Sequence, residues 1–459
     1  MGHTFTKSIL KRYDIRGVYE KDFSNDDAFF IGKSYGTFLK KQNRKLCVVG
    51  RDARTHSPIL QQKFIEGLLT TGIDAIDIGM VMSPCMYWAM WHLNADCGMI
   101  ITASHNPKEY NGFKMLTKDD PVWGDDIQEL GKIAQSGSFA EGQGVLKQAD
   151  VREDYIKYVL SFLQPSKKRL KIVFDTGNGT VGNVIKDVAT GMNIDPIFLF
   201  TEPDGSFPNH LADPSLPDQY DLMVETIKKE KCDMGVMFDG DGDRIGIADS
   251  TGYIFFGDEM LDVMMRPFLK ENPGEKVLLE VTSSQSVVMD IENFGGEVVF
   301  CPPGHSLFKA KMKSDNIKIA AETAGHAYYG DNHNFDDSLV ALMKIVNYIS
   351  NIDETLYDIR QTFPKTFSTK KYKIKTQTDS IKWEIPEKIS KRMKETGYKV
   401  MDIDGARVYL NETDWFLIRG SNTEPAMTAR AEALTNDGLE QCKKILQDEL
   451  KKEGVDLVY

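Results

Sequence analysis

The sequence of 459 residues contains only six cysteines, and no two of them form a C-x-x-C pair. Cys47, Cys85, Cys97, Cys232, Cys301 and Cys442 are scattered along the chain. Such scatter argues against a disulfide framework or a thiolate zinc site and predicts buried thiols in a reducing compartment. Long hydrophobic runs are missing as well: nothing approaches the roughly eighteen consecutive apolar residues that a membrane-spanning helix needs. The N-terminal stretch lacks the apolar core of a secretory signal. An excess of positive charge is also absent, since 56 Lys and Arg stand against 68 Asp and Glu, for a formal net charge of −12. That balance disfavours general nucleic-acid or anionic-membrane binding. Any anionic substrate must be met by a local cluster of basic groups. The expectation is a cytoplasmic protein with neither nucleic acid nor membrane as a partner.

Hydrophobic residues at 41 % and charged residues at 27 % are those of a globular chain, not a disordered, collagen-like or coiled-coil one. The length corresponds to about three domains, with two to four allowed. Short apolar runs end repeatedly in polar turns. Residues 45–50 (KLCVVG) lead into Arg51-Asp52-Ala53-Arg54, 97–101 (CGMII) into TASHNP, and 170–174 (LKIVF) into DTGNG. Residues 234–238 (MGVMF) lead into DGDGDR, 276–281 (KVLLEV) into TSS, and 317–321 (IKIAA) into ETAGH. Runs of this kind separated by helical stretches read as buried strands of α/β sheets, whose loops at the strand carboxyl ends carry ligands. They group as three pairs, suggesting three related α/β units that each present two loops. The last hundred or so residues change rhythm, with a hairpin-like turn at 402–408, a strand at 415–418 and a helix at 438–453, as in a smaller α+β domain. The expected domains are 1–149, 150–252, 253–365 and 366–459.

Asp239, Asp241 and Asp243 alternate with glycines directly after an apolar strand. Three carboxylates so close repel one another and call for a cation, and hard oxygen donors suit Mg²⁺. An EF-hand does not fit, because Arg244 stands where its loop needs Gly and no Glu occupies the twelfth position. Ser104 sits in another strand-end turn, Thr102-Ala103-Ser104-His105-Asn106-Pro107, where a small-residue environment exposes its hydroxyl. A Ser-His-Asp hydrolase is disfavoured, because neither Gly-x-Ser nor Ser-x-Gly is present there. Arg419, Ser421, Asn422 and Thr423 in one turn, with Arg430 on the following strand, supply the guanidinium, hydroxyl and amide donors that fit a phosphate dianion.

Together these motifs resemble the α-D-phosphohexomutase superfamily, most closely its bacterial phosphomannomutase/phosphoglucomutase branch. The resemblance runs from Tyr13 to about Arg430 and rests on TASHNP at 102–107, DGDGDR at 239–244, PGHSLFK at 303–309 and RGSNTEP at 419–425, in the family order. It implies four domains around a central cleft: three related, mixed-sheet α/β domains and a smaller C-terminal α+β domain. The implied activity is interconversion of hexose 1-phosphate and hexose 6-phosphate, of mannose and/or glucose, through a phosphoserine and a hexose 1,6-bisphosphate. By this resemblance Ser104 carries the phosphate, and Asp239, Asp241 and Asp243 bind Mg²⁺ together with Ser104. Tyr13, Glu322, Ala324, Arg419, Ser421, Asn422, Thr423 and Arg430 bind substrate. Arg16, Lys114, Arg244, His305 and His326 supply charge or move protons, with His326 or Lys114 as general acid/base. A monomer or weak dimer is expected, with hexose phosphates and the bisphosphate activator as its ligands.

Departures from the family pattern fall in three places. The sugar loop reads Ala321-Glu322-Thr323-Ala324-Gly325-His326 where Gly-Glu-Met-Ser-Gly-His is common, so Ala324 predicts one hydrogen bond fewer to the sugar, on the order of 1 kcal/mol. Thr282 stands where similar mutases often have a lysine, predicting one cation fewer in the cleft. Ala53 in Arg51-Asp52-Ala53-Arg54 replaces a glycine, with mild consequences expected. Two alternatives stay open: a phosphoglucosamine mutase, disfavoured by Asn422, and a sugar-phosphate-binding protein without turnover.

Overall fold

Strands buried on both faces appear as unbroken apolar runs, and the runs CGMII and MGVMF form the strands Cys97–Ile101 and Met234–Phe238 with every residue buried. The computed structural model describes residues 2–376, 378, 380–421 and 425–457. It contains four sheets.

The first sheet runs Ile15–Val18, Tyr110–Thr117, Cys97–Ile101, Leu46–Arg51, Asp74–Met80, Leu146–Gln148. The second runs Ile254–Phe255, Ile245–Asp249, Met234–Phe238, Leu170–Asp175, Ile194–Leu199, and the third Glu297–Cys301, Lys276–Glu280, Ile319–Ala321, Ala327–Tyr329. One plan repeats in all three. Three parallel strands form the centre, and the chain leaves the last of them to return as an antiparallel neighbour. The return turn carries Ser104 in the first unit, the aspartate triplet in the second and Glu322 to His326 in the third. The three related units expected from paired apolar runs are therefore present as repeated topology, and the sheets are mixed as expected.

One continuous apolar cluster passes through all three units, from Val48 and Trp88 through Ile172 and Val236 to Leu279 and Leu342. Its centrepiece is the helix Ser83–His92, in which Ser83 through Met90 are all buried. Each fully buried large apolar side chain contributes about 1.5–3 kcal/mol. That burial anchors the helix N-terminus, Ser83, deep between the first and second units. The helix Ser338–Asn351, N-capped by Asp337, does the same for the third unit.

The last sheet is antiparallel. Phe367–Ser368 and Tyr372–Lys375 both pair with Ala426–Ala433, followed by Trp415–Gly420, Ala406–Tyr409 and Lys399–Met401. The helices Ile381–Glu395 and Asn436–Lys452 accompany it, and Ile389, Phe416, Ile418, Met427 and Leu446 belong to a core of its own. This is the α+β unit expected from the change of rhythm. Six free cysteines are all buried, and no described helix is long and apolar enough to cross a membrane.

Candidate active site

Ser104 is 2 % exposed, and its backbone adopts φ 51°, a left-handed conformation that costs a non-glycine residue on the order of 1 kcal/mol. The surroundings hold it there. The Ser104 N–H donates to Thr102 Oγ1 at 2.8 Å. Arg54, fully buried, donates to the carbonyls of Ser104 at 2.9 Å, Asn106 at 2.6 Å, Pro107 at 2.6 Å and Tyr110 at 3.1 Å, while Asp52 balances its charge at 3.1 Å. One guanidinium thus clamps the whole serine turn.

The serine hydroxyl donates to Asp239 Oδ2 at 2.7 Å and lies 3.0 Å from His105 Nδ1. The two loops touch closely: a Cβ on Gly240 would meet the Ser104 carbonyl oxygen at 2.7 Å, so only glycine fits there. Asp239 Oδ1 accepts the N–H groups of Asp243 and Arg244 at 3.0 and 3.1 Å, closing the acidic loop on itself. Asp241 Oδ2 accepts Ser83 Oγ at 2.5 Å, and the Ser83 N–H donates to the Asp241 carbonyl at 2.8 Å. The positive N-terminal end of the helix Ser83–His92 therefore faces a carboxylate. Lys114 reaches from the return strand of the first unit to Asp241 at 2.8 Å and Asp243 at 2.6 Å.

These neighbours set the protonation states. Burial, with repulsion from Asp241 and Asp243, pushes the Asp239 carboxyl well above its ordinary value. Burial acts on Asp241 in the same sense, but Lys114 and Ser83 overcome it and hold that carboxyl low. Burial would lower Lys114, yet Asp241 and Asp243 outweigh it and keep the ammonium charged. His105 is kept neutral by burial, assisted by Arg244 and Arg16.

Ligand atoms of Asp239, Asp241 and Asp243 lie within 4.8 Å of one another, and Asp241 Oδ1 and Asp243 Oδ1 are buried without a hydrogen-bond partner. Among the described residues, three carboxylates face two nearby cations, Lys114 and Arg244, the latter 4.0 Å from Asp239. Hard oxygen donors, unspent acceptors and a surplus of negative charge fit a divalent cation such as Mg²⁺.

The third unit docks on this loop. The Arg244 Nε donates to His326 Nε2 at 3.0 Å, and His326 Nδ1 lies 3.0 Å from Asp336 and 3.7 Å from Asp243. Lys309 pairs with Asp336 at 2.6 Å, and Ser338 Oγ donates to the Gly242 carbonyl at 2.6 Å. Glu322 accepts the Gly304 N–H at 2.7 Å and the Tyr328 hydroxyl at 2.5 Å, and burial raises its pKa. Ala324 is half-buried in the same turn. Tyr13 donates to the Pro303 carbonyl at 2.8 Å, beside the ring of His305 at 6.3 Å. Gly304, at φ 140°, passes this tyrosine so closely that a Cβ would sit 2.5 Å from its ring. Arg16 donates to Asn106 Oδ1 at 2.8 Å and pairs with Asp14 at 2.5 Å, so it borders the serine turn.

On the fourth unit, Arg419 pairs with Asp404 at 2.5 Å, and Arg430 donates to the Thr282 carbonyl at 2.8 Å and to Glu432 at 3.3 Å. The Ser421 N–H donates to the Ala426 carbonyl at 2.8 Å. Asn422 and Thr423 lie outside the described residues. Arg419 and Asp404 are close enough to act on the Tyr13 hydroxyl, whose pKa rises to about 12, chiefly through burial.

The structure thus gathers Ser104, the aspartates, Lys114 and Arg244 in one cluster, with His326 attached through Arg244. Arg419 and Arg430 form a second group. Sequence reasoning did not single out Arg54, Ser83, His105 or Asp336. His105 is adjacent to Ser104 and within reach of inspection, whereas nothing local marks Ser83 or Asp336.

A chain that repeats one α/β unit three times and lays a serine return turn against an acidic one is built as an α-D-phosphohexomutase. Models of phosphoglucomutase/phosphomannomutase alpha/beta/alpha domains I, II and III match residues 7–141, 153–252 and 256–367. A phosphomannomutase/phosphoglucomutase of Pseudomonas syringae pv. tomato is 34 % identical over 98 % of this chain and 96 % of its own. A phosphoglucomutase of Neisseria gonorrhoeae is 32 % identical, covering 95 % of each. The crystal structure of a phosphoglucomutase/phosphomannomutase family protein from Burkholderia thailandensis superposes with a TM-score of 0.92 at 31 % identity, over 99 % of this chain and 100 % of that one. The chain belongs to the phosphomannomutase/phosphoglucomutase family.

Proposed function

We propose that this enzyme interconverts the 1- and 6-phosphates of mannose and/or glucose by passing phosphate through Ser104. The observation that carries the reading is the 2.7 Å hydrogen bond from the Ser104 hydroxyl to Asp239, which joins a nucleophile to the acidic loop. In the first half-reaction the Oγ–P bond of phospho-Ser104 breaks as a free sugar hydroxyl attacks phosphorus, giving a hexose 1,6-bisphosphate. The bisphosphate turns end for end, and Ser104 then takes the other phosphate. Its hydroxyl proton passes to neutral His105, whose Nδ1 lies 3.0 Å from the Ser104 oxygen.

Asp239, Asp241 and Asp243, with an oxygen of phospho-Ser104, would hold Mg²⁺, which when bound offsets charge on the phosphoryl oxygens. Lys114 and Arg244 add positive charge there. Arg16 and His305 border the reacting end. For the sugar hydroxyl, His326 or Lys114 is the general acid/base: His326 is set between Arg244 and Asp336, and Lys114 between Asp241 and Asp243. Arg419, Ser421, Asn422, Thr423 and Arg430 grip the phosphate that is not reacting, while Tyr13, Glu322 and the turn at Ala324 face the ring. The buried thiols support a cytoplasmic location, and the chain is read as a monomer or weak dimer.

The test is a panel of mannose 1-phosphate, glucose 1-phosphate and glucosamine 1-phosphate, assayed with and without glucose 1,6-bisphosphate, alongside intact mass of the protein. Turnover of the two hexoses and one added phosphate support the reading. Preference for the amino sugar would make it a phosphoglucosamine mutase. No turnover and no phosphoserine would leave a binding protein.

A further inference from the structure

We propose that Lys371 binds the phosphate of the substrate, as a third cation beside Arg419 and Arg430 set in place by two threonines of the neighbouring unit. The proposal rests on the mutase reading given above. Lys371 lies just before the strand Tyr372–Lys375 at the start of the fourth unit. Its ammonium donates to Thr323 Oγ1 at 2.7 Å and to Thr282 Oγ1 at 3.1 Å. Thr323 belongs to the turn that holds Glu322 and Ala324. Thr282 is the residue whose carbonyl accepts Arg430 at 2.8 Å. Two cations of the fourth unit therefore meet on a single residue of the third, next to the sugar loop.

The partners of these cations differ. Arg419 has a carboxylate at 2.5 Å and Arg430 has one at 3.3 Å, whereas the carboxylate nearest Lys371, Glu280, is 4.0 Å away. Glu280 is already engaged by the Thr323 N–H at 3.0 Å, by Thr323 Oγ1 at 2.8 Å and by the Thr282 hydroxyl. An ammonium has three donors. Two of those on Lys371 go to neutral hydroxyls, which leaves the charge least compensated of the three and one donor for an anion. The side chain is 41 % exposed. Even so, surrounding protein desolvates it enough to lower its pKa, with Arg430 and Arg419 adding to the effect against Glu280 and Asp258. A phosphate dianion placed among Lys371, Arg419 and Arg430 relieves their mutual repulsion. Thr282 contributes no charge of its own, so at this point the cation comes from the far side of the domain junction.

The experiment compares wild type, Lys371→Met, Lys371→Arg and the double variant Thr282→Lys/Lys371→Met. Calorimetric titration with glucose 6-phosphate gives the affinity, and kcat and KM are measured with glucose 1-phosphate. Losing one charge-assisted contact is expected to weaken binding and raise KM about tenfold or more in Lys371→Met, with kcat within about threefold of wild type. Arginine at 371 restores most of the loss, and so does a lysine placed at 282, because it returns the charge to the same spot. Unchanged glucose 6-phosphate affinity in Lys371→Met overturns the proposal. So does a loss that neither arginine at 371 nor lysine at 282 repairs, which would make Lys371 only a strut of the domain junction. If wild type binds glucose 6-phosphate in a Lys371-dependent way yet turns over no hexose phosphate, the mutase reading fails while the binding role of Lys371 stands. If wild type does not bind glucose 6-phosphate, both fall.

Discussion

The first three units and the fourth are joined in different ways. A single apolar cluster threads the first three, so Ser104, the aspartate loop and the His326 turn sit in one body. The fourth unit has its own core and meets the third largely through polar groups. Arg407 donates to the carbonyls of Val281 and Ser283 at 2.8 and 2.9 Å while its guanidinium stacks 3.7 Å over Trp415. Glu432 accepts from Ser284 Oγ at 2.5 Å and from the Gln285 N–H at 3.1 Å. Apolar packing leaves few alternative arrangements, whereas hydrogen bonds exchange with water at modest net cost. Under the proposed reaction, the reacting end would be held accurately and the anchoring end would stay adjustable, as a bisphosphate turning between two half-reactions would need.

The sharpest break of this division is at Ser104. Ser104→Ala is expected to lose at least ~10³-fold in kcat while glucose 6-phosphate affinity stays within about threefold, because the anchoring end is untouched; comparable turnover by the variant would remove Ser104 from the reaction. The next effect concerns stability. Lys114→Met leaves Asp241 and Asp243 buried without their ammonium, a loss of about 3–5 kcal/mol. Thermal melts should show the drop, and added Mg²⁺ should raise Tm more in the variant than in wild type. An equal Mg²⁺ response in both would mean that Lys114 and the cation do not share the aspartates. Third, Arg407→Met strikes the polar junction, for about 2 kcal/mol. Calorimetry should then show the fourth unit melting ahead of the rest, and a single undivided transition would contradict the separate-core picture.

The smallest effect is a pH dependence inside the shared body. His210 Nε2 lies 3.0 Å from Asp175. Burial lowers the histidine, but the Asp175 hydrogen bond and charge outweigh it, and the folded-state pKa is raised. The stabilisation is therefore complete below the unfolded histidine value of about 6.5 and is lost as pH rises through the folded value. His210→Gln should cost more Tm at pH 6 than at pH 8.5. A larger cost at the higher pH would reverse the sign.

Much of this was readable from residues near one another in the chain. The run CGMII is the strand Cys97–Ile101 and MGVMF is Met234–Phe238. The run predicted at 317–321 forms a strand only over Ile319–Ala321, because pairing decides where a strand begins. Glu322 was expected at the sugar ring, and the structure shows its two oxygens already engaged by Gly304 and Tyr328. Thr282 by itself implies one cation fewer, and Lys371, 89 residues further on, sits against its hydroxyl.

What the sequence determined alone is whatever depends on short range. Crowded carboxylates demand a cation, apolar runs must be buried, and a turn rich in guanidinium and hydroxyl groups suits phosphate. Only the tertiary structure decided which charge answers which. Lys114 and Asp241 are 127 positions apart, and Ser83 and Asp241 are 158. No local pattern records such pairs, because they exist only where strands and a buried helix from different units end at the same point. The electrostatics of the site are set by that meeting.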